Sequence, residues 1–228
     1  NDLVELLTTL VSTDKLKVVS IFTHLVASAD HEHDGFTQKQ LDDFSYLYME
    51  ITKSLNYKPI KHALNTSGIT RLQNAQFDMV RLGIGLYGFD SALINNKALQ
   101  TVAVLKTTVT QVKELNAGET VGYSRNGIML DKGKIATVKI GYADGYNRKF
   151  GNGVGKMLIN GDLMATIGSI CMDMCMLNVS DLEVSVGDEV IVFNEQLTIS
   201  DLAEQIDTIP YEILTNISQR VKRVYFYE

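Results

Sequence analysis

Apolar positions recur along this chain in two rhythms. In the first hundred residues strand and helix periods alternate. Leu3, Leu6, Leu7 and Leu10 share one face of a helix over 2–11. A β-branched run over 17–22 predicts a strand that ends at Thr23-His24. After a polar loop over 29–35, residues 37–55 place Leu41, Phe44, Tyr48, Ile51 and Leu55 at helical spacing. Thr37 and Gln40, three apart, predict a capping box at that helix's start, and Tyr57-Lys58-Pro59 its end. A short strand over 60–64, a polar connection over 65–73 and a third strand over 77–82 complete a β-α-β rhythm, which implies parallel strands. His24, Asn65 and Arg81 fall just past the ends of these strands, where α/β enzymes carry their chemistry.

Near residue 95 the pattern changes to short strands and tight turns. Strands are predicted over 99–115, 134–140, 155–159, 163–170, 171–179, 189–193 and 221–227. Asn116–Gly118 ends the first, and Asn160-Gly161 is a type I′ hairpin signal. Helices are expected over 199–206, capped by Thr198, and over 211–218. The fold class expected is therefore α/β over 1–96, followed by a mostly β barrel or sandwich over 97–228. An eight-fold α/β barrel needs about 250 residues, whereas the first segment offers three strands. It reads as the C-terminal part of a (β/α)8 TIM-type barrel, entered in its middle.

Composition narrows the function classes. The 228 residues are 45% hydrophobic and 21% charged, with a net charge of −6. No basic patch stands out beyond Lys222-Arg223, so nucleic acid is not an expected partner. Apolar runs such as 102–105 are too short to span a membrane, and the first residues lack a basic stretch followed by an apolar one. Two cysteines without framework spacing, Cys171 and Cys175, point to buried thiols in a reducing compartment, the cytoplasm.

Several motifs have ordinary readings. His31-Glu32-His33-Asp34 precedes a helix and reads as a solvated loop, so no metal is expected. Gly151-Asn152-Gly153-Val154-Gly155-Lys156 lacks a following Ser/Thr and precedes a strand, which makes it a turn. No Gly-x-Ser-x-Gly elbow is present.

Other segments gain meaning together. They are Phe22-Thr23-His24 with Ala29-Asp30; His62-Ala63-Leu64-Asn65-Thr66-Ser67-Gly68; and the run from Asp78 through Arg81-Leu82-Gly83-Ile84-Gly85 to Gly88. Val121-Gly122-Tyr123-Ser124, Gly141-Tyr142-Ala143-Asp144-Gly145-Tyr146, Cys171-Met172-Asp173 and Ile209-Pro210-Tyr211-Glu212 follow. In this order and spacing the chain resembles the alanine racemase family along nearly its whole length.

The resemblance implies an α/β barrel holding pyridoxal 5'-phosphate and a β-domain that closes the site of a second subunit in a homodimer. It implies two-base proton transfer that interconverts L-alanine and D-alanine, with D-alanine destined for cell-wall peptidoglycan. Tyr123 is then one base, with His24 and Arg81 in its network and Arg81 also facing the pyridine nitrogen. Thr66, beside Asn65, and the backbone N–H groups of Gly83 and Ile84 would hold the phosphate, and Tyr211 would line the site nearby. Met172 would meet the substrate carboxylate through its N–H. Tyr142 and Tyr211 would form the entry constriction, with Asp30 and Arg148 outside it. Ser169 stands where the family commonly has Arg. No lysine lies in the context of the family's cofactor-holding lysine, so this chain alone is expected to be inactive without the missing N-terminal barrel half. A racemase of broader amino-acid choice and a non-catalytic β-domain used for dimerisation are the alternatives.

Overall fold

The computed structural model describes residues 2–13, 15–93 and 99–226. Contacts divide the chain into two compact units, Asn1–Val102 and Ala103–Glu228. The expected boundary between 96 and 97 lies outside the described residues.

In the first unit helix α1 (Asp2–Val11) precedes strand β1 (Ser20–Phe22), helix α2 (Asp34–Leu55), strand β2 (Ile60–His62) and helix α3 (Thr66–Arg71). β1 and β2 pair in parallel, with Phe22 opposite His62, and a further parallel bridge joins His62 to Met79. Three chain segments thus lie side by side, joined by helices, as the alternating rhythm implies. The strands are shorter than expected, and the third is a single bridge. Leu41 and Phe44 of α2 pack with Leu25, Ala63, Leu64 and Ala75 in one buried cluster.

Two expectations are corrected here. α2 starts at Asp34, so Thr37 is a buried residue inside the helix and caps nothing. Asp30 caps the preceding 3-10 turn (His31–His33), accepting from the Glu32 N–H at 2.9 Å, and this moves the helix start upstream. The polar connection over 65–73 contains α3, because the Asn65 side chain accepts from the Gly68 N–H at 3.0 Å.

The second unit contains strands β3 (Leu105–Leu115), β4 (Thr120–Val121), β5 (Gly127–Ile128), β6 (Gly133–Val138), β7 (Lys156–Ile159), β8 (Asp162–Ala165), β9 (Cys175–Asn178) and β10 (Glu189–Phe193), then helices α4 (Ile199–Gln205) and α5 (Pro210–Thr215). Six strands form one sheet in the order β8-β7-β10-β3-β6-β9, with antiparallel pairs throughout. Thr166, just past β8, bridges Leu177 of β9, and the Ile167 N–H donates to Met176 O at 2.8 Å. The two ends of the sheet therefore meet, giving a barrel-like closure. Asn160 and Gly161 have φ of 52° and 91°, as the predicted hairpin turn requires. Thr198 and Asp201 form a reciprocal cap on α4. Residues 221–226 do not form the expected strand. Arg223 bonds the carbonyls of Ile217, Ser218 and Val221, folding this segment back into a turn, and Tyr227 lies outside the described residues.

Among the described residues no helix is long and apolar enough to cross a membrane.

Candidate active site

In the first unit the ends of β1 and β2 gather around Arg81. Its Nη1 lies 2.7 Å from His62 Nδ1, and its Nη2 donates to Thr23 O at 2.9 Å and to Ala63 O at 3.0 Å. His24 Nδ1 is 3.4 Å from the same Nη2. Among the described residues no carboxylate bonds this guanidinium, so Arg81 is not an ordinary surface ion pair. The Phe22 ring stacks on the His62 ring with centroids 5.2 Å apart, and the Arg81 guanidinium carbon lies 4.9 Å from the Phe22 centroid.

These contacts fix the proton positions. Burial, and after it the Arg81 charge, holds the His62 imidazole below its ordinary pKa. His62 is therefore neutral at pH 7 and accepts from Arg81 at Nδ1, which leaves its remaining proton on the buried Nε2. Burial also lowers the Arg81 pKa, from a value so high that the group stays cationic. Gln40 of α2 steadies the turn that bears His24: its Nε2 donates to His24 O at 2.8 Å and to Thr23 Oγ1 at 3.1 Å.

One turn away, two backbone amides converge on a buried hydroxyl. Buried Thr66 opens α3, and its Oγ1 accepts from the backbone N–H groups of Gly83 at 3.1 Å and Gly85 at 3.2 Å. The amides that converge on this hydroxyl are those of Gly83 and Gly85. Ile84 is buried in the 3-10 turn Ile84–Tyr87. Asn65 Oδ1 accepts from buried Ser28 at 2.7 Å, so the loop after β1 is tied to the start of α3. Asp30 is exposed on that loop and pairs with His33 at 3.7 Å.

In the second unit Tyr123 projects from the β4–β5 hairpin and is 74% exposed, so its hydroxyl is offered outward. Ser124 and Arg125 beside it have left-handed backbone, φ 58° and 55°. The hairpin rests on Gly168, where φ is +76° and an added Cβ would lie 2.6 Å from Val121 O.

Tyr142 and Met172 are brought together elsewhere in this unit. The Tyr142 N–H donates to Cys171 O and the Ala143 N–H to Met172 O, both at 3.0 Å. Both side chains are exposed, and the Met172 N–H has no acceptor among the described residues. Arg220 joins the same two segments: its Nε bonds Asp144 at 2.7 Å and its Nη2 bonds Asp173. Tyr211 lies in the first turn of α5, half exposed. Arg148 is exposed in the 3-10 turn Arg148–Phe150. Its charge opposes the burial that raises the Cys171 thiol pKa. Ser169 accepts from Asn126 at 3.2 Å.

Three participants, His62, Gly85 and Arg220, have no assigned role in the sequence, and a fourth, Gln40, reads there only as a helix cap. Each acts through a partner at least 16 residues away. The signal for His62 was its place beside Asn65-Thr66, at a strand end. Among the described residues no group of three or more metal-ligating side chains gathers.

Comparison with known proteins shows the family. The family model described as "Alanine racemase, N-terminal domain" matches residues 1–91, and "Alanine racemase, C-terminal domain" matches 102–225. "Alanine racemase 1" of Caldanaerobacter subterraneus subsp. tengcongensis is 36% identical over 91% of this chain and 55% of its own length. The alanine racemase of Halothermothrix orenii is 39% identical over 94% of this chain and 58% of its own length. The crystal structure of alanine racemase from Bartonella henselae with covalently bound pyridoxal phosphate superposes with a TM-score of 0.84 at 30% identity, over 98% of this chain and 61% of that one. The chain thus spans a little over half the length of the curated relatives it matches.

Proposed function

The chain belongs to the alanine racemase family, and from that premise we propose that it is the part of an alanine racemase that carries the cofactor-facing arginine and the tyrosine base. The observation that carries the reading is the Arg81 guanidinium, held by two carbonyls and a neutral histidine beside the Thr66–Gly83–Gly85 cradle. A hydroxyl and two convergent amides suit a phosphate, and a fixed, permanently charged arginine suits an unprotonated ring nitrogen. These residues fit pyridoxal 5'-phosphate. That cofactor, when bound, draws electrons from the amino acid's α-carbon and makes its proton removable.

The remaining work falls to this chain's side chains. Thr66, Gly83 and Gly85, with Asn65 and Ile84 alongside, bind the phosphate. Arg81 would face the ring nitrogen, held in place by its bonds to His62 and two carbonyls, and would not give up its proton because a guanidinium is far too weak an acid. This weak electron sink limits side reactions. Tyr123 would move a proton at one face of the α-carbon in a second copy's site, where that copy's His24 and Arg81 would stabilise its phenolate. Met172 orients the substrate carboxylate through its N–H. Tyr142 and Tyr211 narrow the entry, and Asp30 and Arg148 line its outer part.

The opposite face needs a lysine. Lys61 on β2 cannot take that role, since its ammonium sits 3.9 Å from the Phe77 centroid and bonds Ser45 of α2 at 2.9 Å. We place the lysine in the part of the relatives' length that this chain does not span. The first unit is read as part of an eight-fold barrel, and the outward Tyr123 as a group given to a second copy in a homodimer. A cytoplasmic place and a supply of D-alanine for peptidoglycan follow from this reading.

The test reunites this chain with the lysine-bearing segment of a relative and follows D-alanine formed from L-alanine. Tyr123→Phe should lower kcat by roughly a thousandfold while cofactor binding holds. Unchanged kcat would remove Tyr123 from the chemistry, and no D-alanine from the parent pair would sink the racemase reading.

A further inference from the structure

We propose that Asp90 is a positioning residue that holds the two halves of the phosphate cradle at their working separation. The inference rests on the proposed function, which assigns the cradle to the cofactor phosphate.

The cradle is assembled from two segments. One is the first turn of α3, bearing Thr66. The other is the turn bearing the Gly83 and Gly85 amides. Their direct link is the pair of hydrogen bonds into Thr66 Oγ1. An arriving phosphate competes for those same two N–H donors, and the Thr66 hydroxyl is then needed as a donor to the anion. The link that sets the cradle's width without a ligand is therefore given up when the ligand binds. A second tie is needed that binding does not consume.

Asp90 supplies it. Its carboxylate is 5% exposed and accepts three hydrogen bonds. Ser67 Oγ donates to Oδ1 at 2.6 Å, Thr70 Oγ1 to Oδ2 at 2.6 Å, and the Ala92 N–H to Oδ1 at 2.9 Å. Ser67 and Thr70 both belong to α3, and Ser67 directly follows Thr66. Asp90 follows the amide-bearing turn, which is compact: the Leu86 N–H donates to Gly83 O at 3.0 Å and the Gly88 N–H to Gly85 O at 3.1 Å. None of the Asp90 bonds uses Thr66 Oγ1, Gly83 N or Gly85 N, so all three survive phosphate binding. Charge-assisted bonds made away from water are stronger than exposed ones. Two of them on one short helix fix both its position and its rotation.

The test compares pyridoxal 5'-phosphate with pyridoxal, which lacks only the phosphate, by equilibrium dialysis against the 228-residue chain. Asp90→Ala should weaken the phosphorylated ligand about tenfold, the loss of one or two charge-assisted hydrogen bonds, and leave pyridoxal unchanged. Asp90→Asn keeps one acceptor oxygen and offers an N–H that the Thr70 hydroxyl can accept, so it should recover to within about threefold of the parent. General loosening would weaken both ligands alike and overturn the inference. A parent that favours the phosphorylated ligand and an Asp90→Ala chain that favours it equally would overturn it too, leaving the proposed function standing. A parent with no such preference would overturn both. Amide exchange gives a ligand-free check: Gly83 and Gly85 should exchange faster in Asp90→Ala, and parental rates there would also overturn the role.

Discussion

Arg81 in the first unit and Tyr123 in the second are held by opposite means. Arg81 is fixed by what its side chain touches: two strand-end carbonyls, a neutral histidine and an aromatic face. Tyr123 is three-quarters exposed, and its place is set by its turn rather than by its own side chain: two left-handed residues follow it, Arg125 and Asn126 tie the turn to Thr120 and Ser169, and a glycine contact lies beneath the hairpin. A group proposed to oppose a fixed ring atom gains from many rigid contacts. A group offered outward cannot have them, so the conformation of a short turn must do the aiming. The cost of that arrangement is backbone strain.

The largest expected effect tests the backbone side. Gly168→Ala places a methyl 2.6 Å from Val121 O at a residue with φ +76°. The contact is with backbone, so the β4–β5 hairpin must shift or β8 must break from β9. A loss of about 3 kcal/mol is expected, lowering Tm by roughly 6–12 °C in a chain of this size. Thermal unfolding checks it; a change under about 1 kcal/mol means the hairpin does not rest on Gly168 as described.

The next effect tests the side-chain side. His62 has its folded pKa lowered by burial and by Arg81, below an unfolded value of about 6.5. Above that pH neither state binds a proton here. As the pH falls through about 6.5 the unfolded chain takes up a proton that the native one refuses, so stability declines by up to about 1.4 kcal/mol per pH unit. The decline from this group ends once native His62 protonates. Urea midpoints between about pH 7.5 and 5 should show this slope in the parent and a shallower one in His62→Gln. Parallel slopes would mean His62 is not held neutral against Arg81.

The same contrast governs what could be read from the sequence. Local signals read well: α1 at Asp2–Val11, β10 at Glu189–Phe193, the Asn160-Gly161 turn and the Thr198 cap all come from residues within a few positions of one another. α3 was missed because Thr-Ser-Gly-Ile-Thr-Arg is poor in helix formers, and what holds it is Asn65 at its start and Asp90 from 20 or more residues away. Gln40 was read as a local cap when its amide serves the His24 turn 16 residues upstream. His62 and Arg81 likewise meet only through strand pairing. The left-handed φ at Ser124 had no sequence signal, since glycine or asparagine is the residue that announces such a turn.

That position supplies the smallest prediction and the finest one. Ser124 sits at φ 58° directly after Tyr123, exposed, and its hydroxyl makes no hydrogen bond among the described residues. A non-glycine residue held there costs about 1 kcal/mol, against which glycine's extra freedom in the unfolded chain must be set. Ser124→Gly should therefore stabilise the chain by roughly 0.5 kcal/mol, measured by urea unfolding of both proteins side by side. Strain relief should also let the turn wander. In the reunited protein that would appear as a lower kcat with an unchanged KM, because the aim of Tyr123 matters in the transition state more than in binding. Higher stability with lower kcat is the signature of strain used for aiming. A destabilised Ser124→Gly chain would mean instead that the serine is the better residue at this turn, and Tyr123 would then need some support besides its backbone.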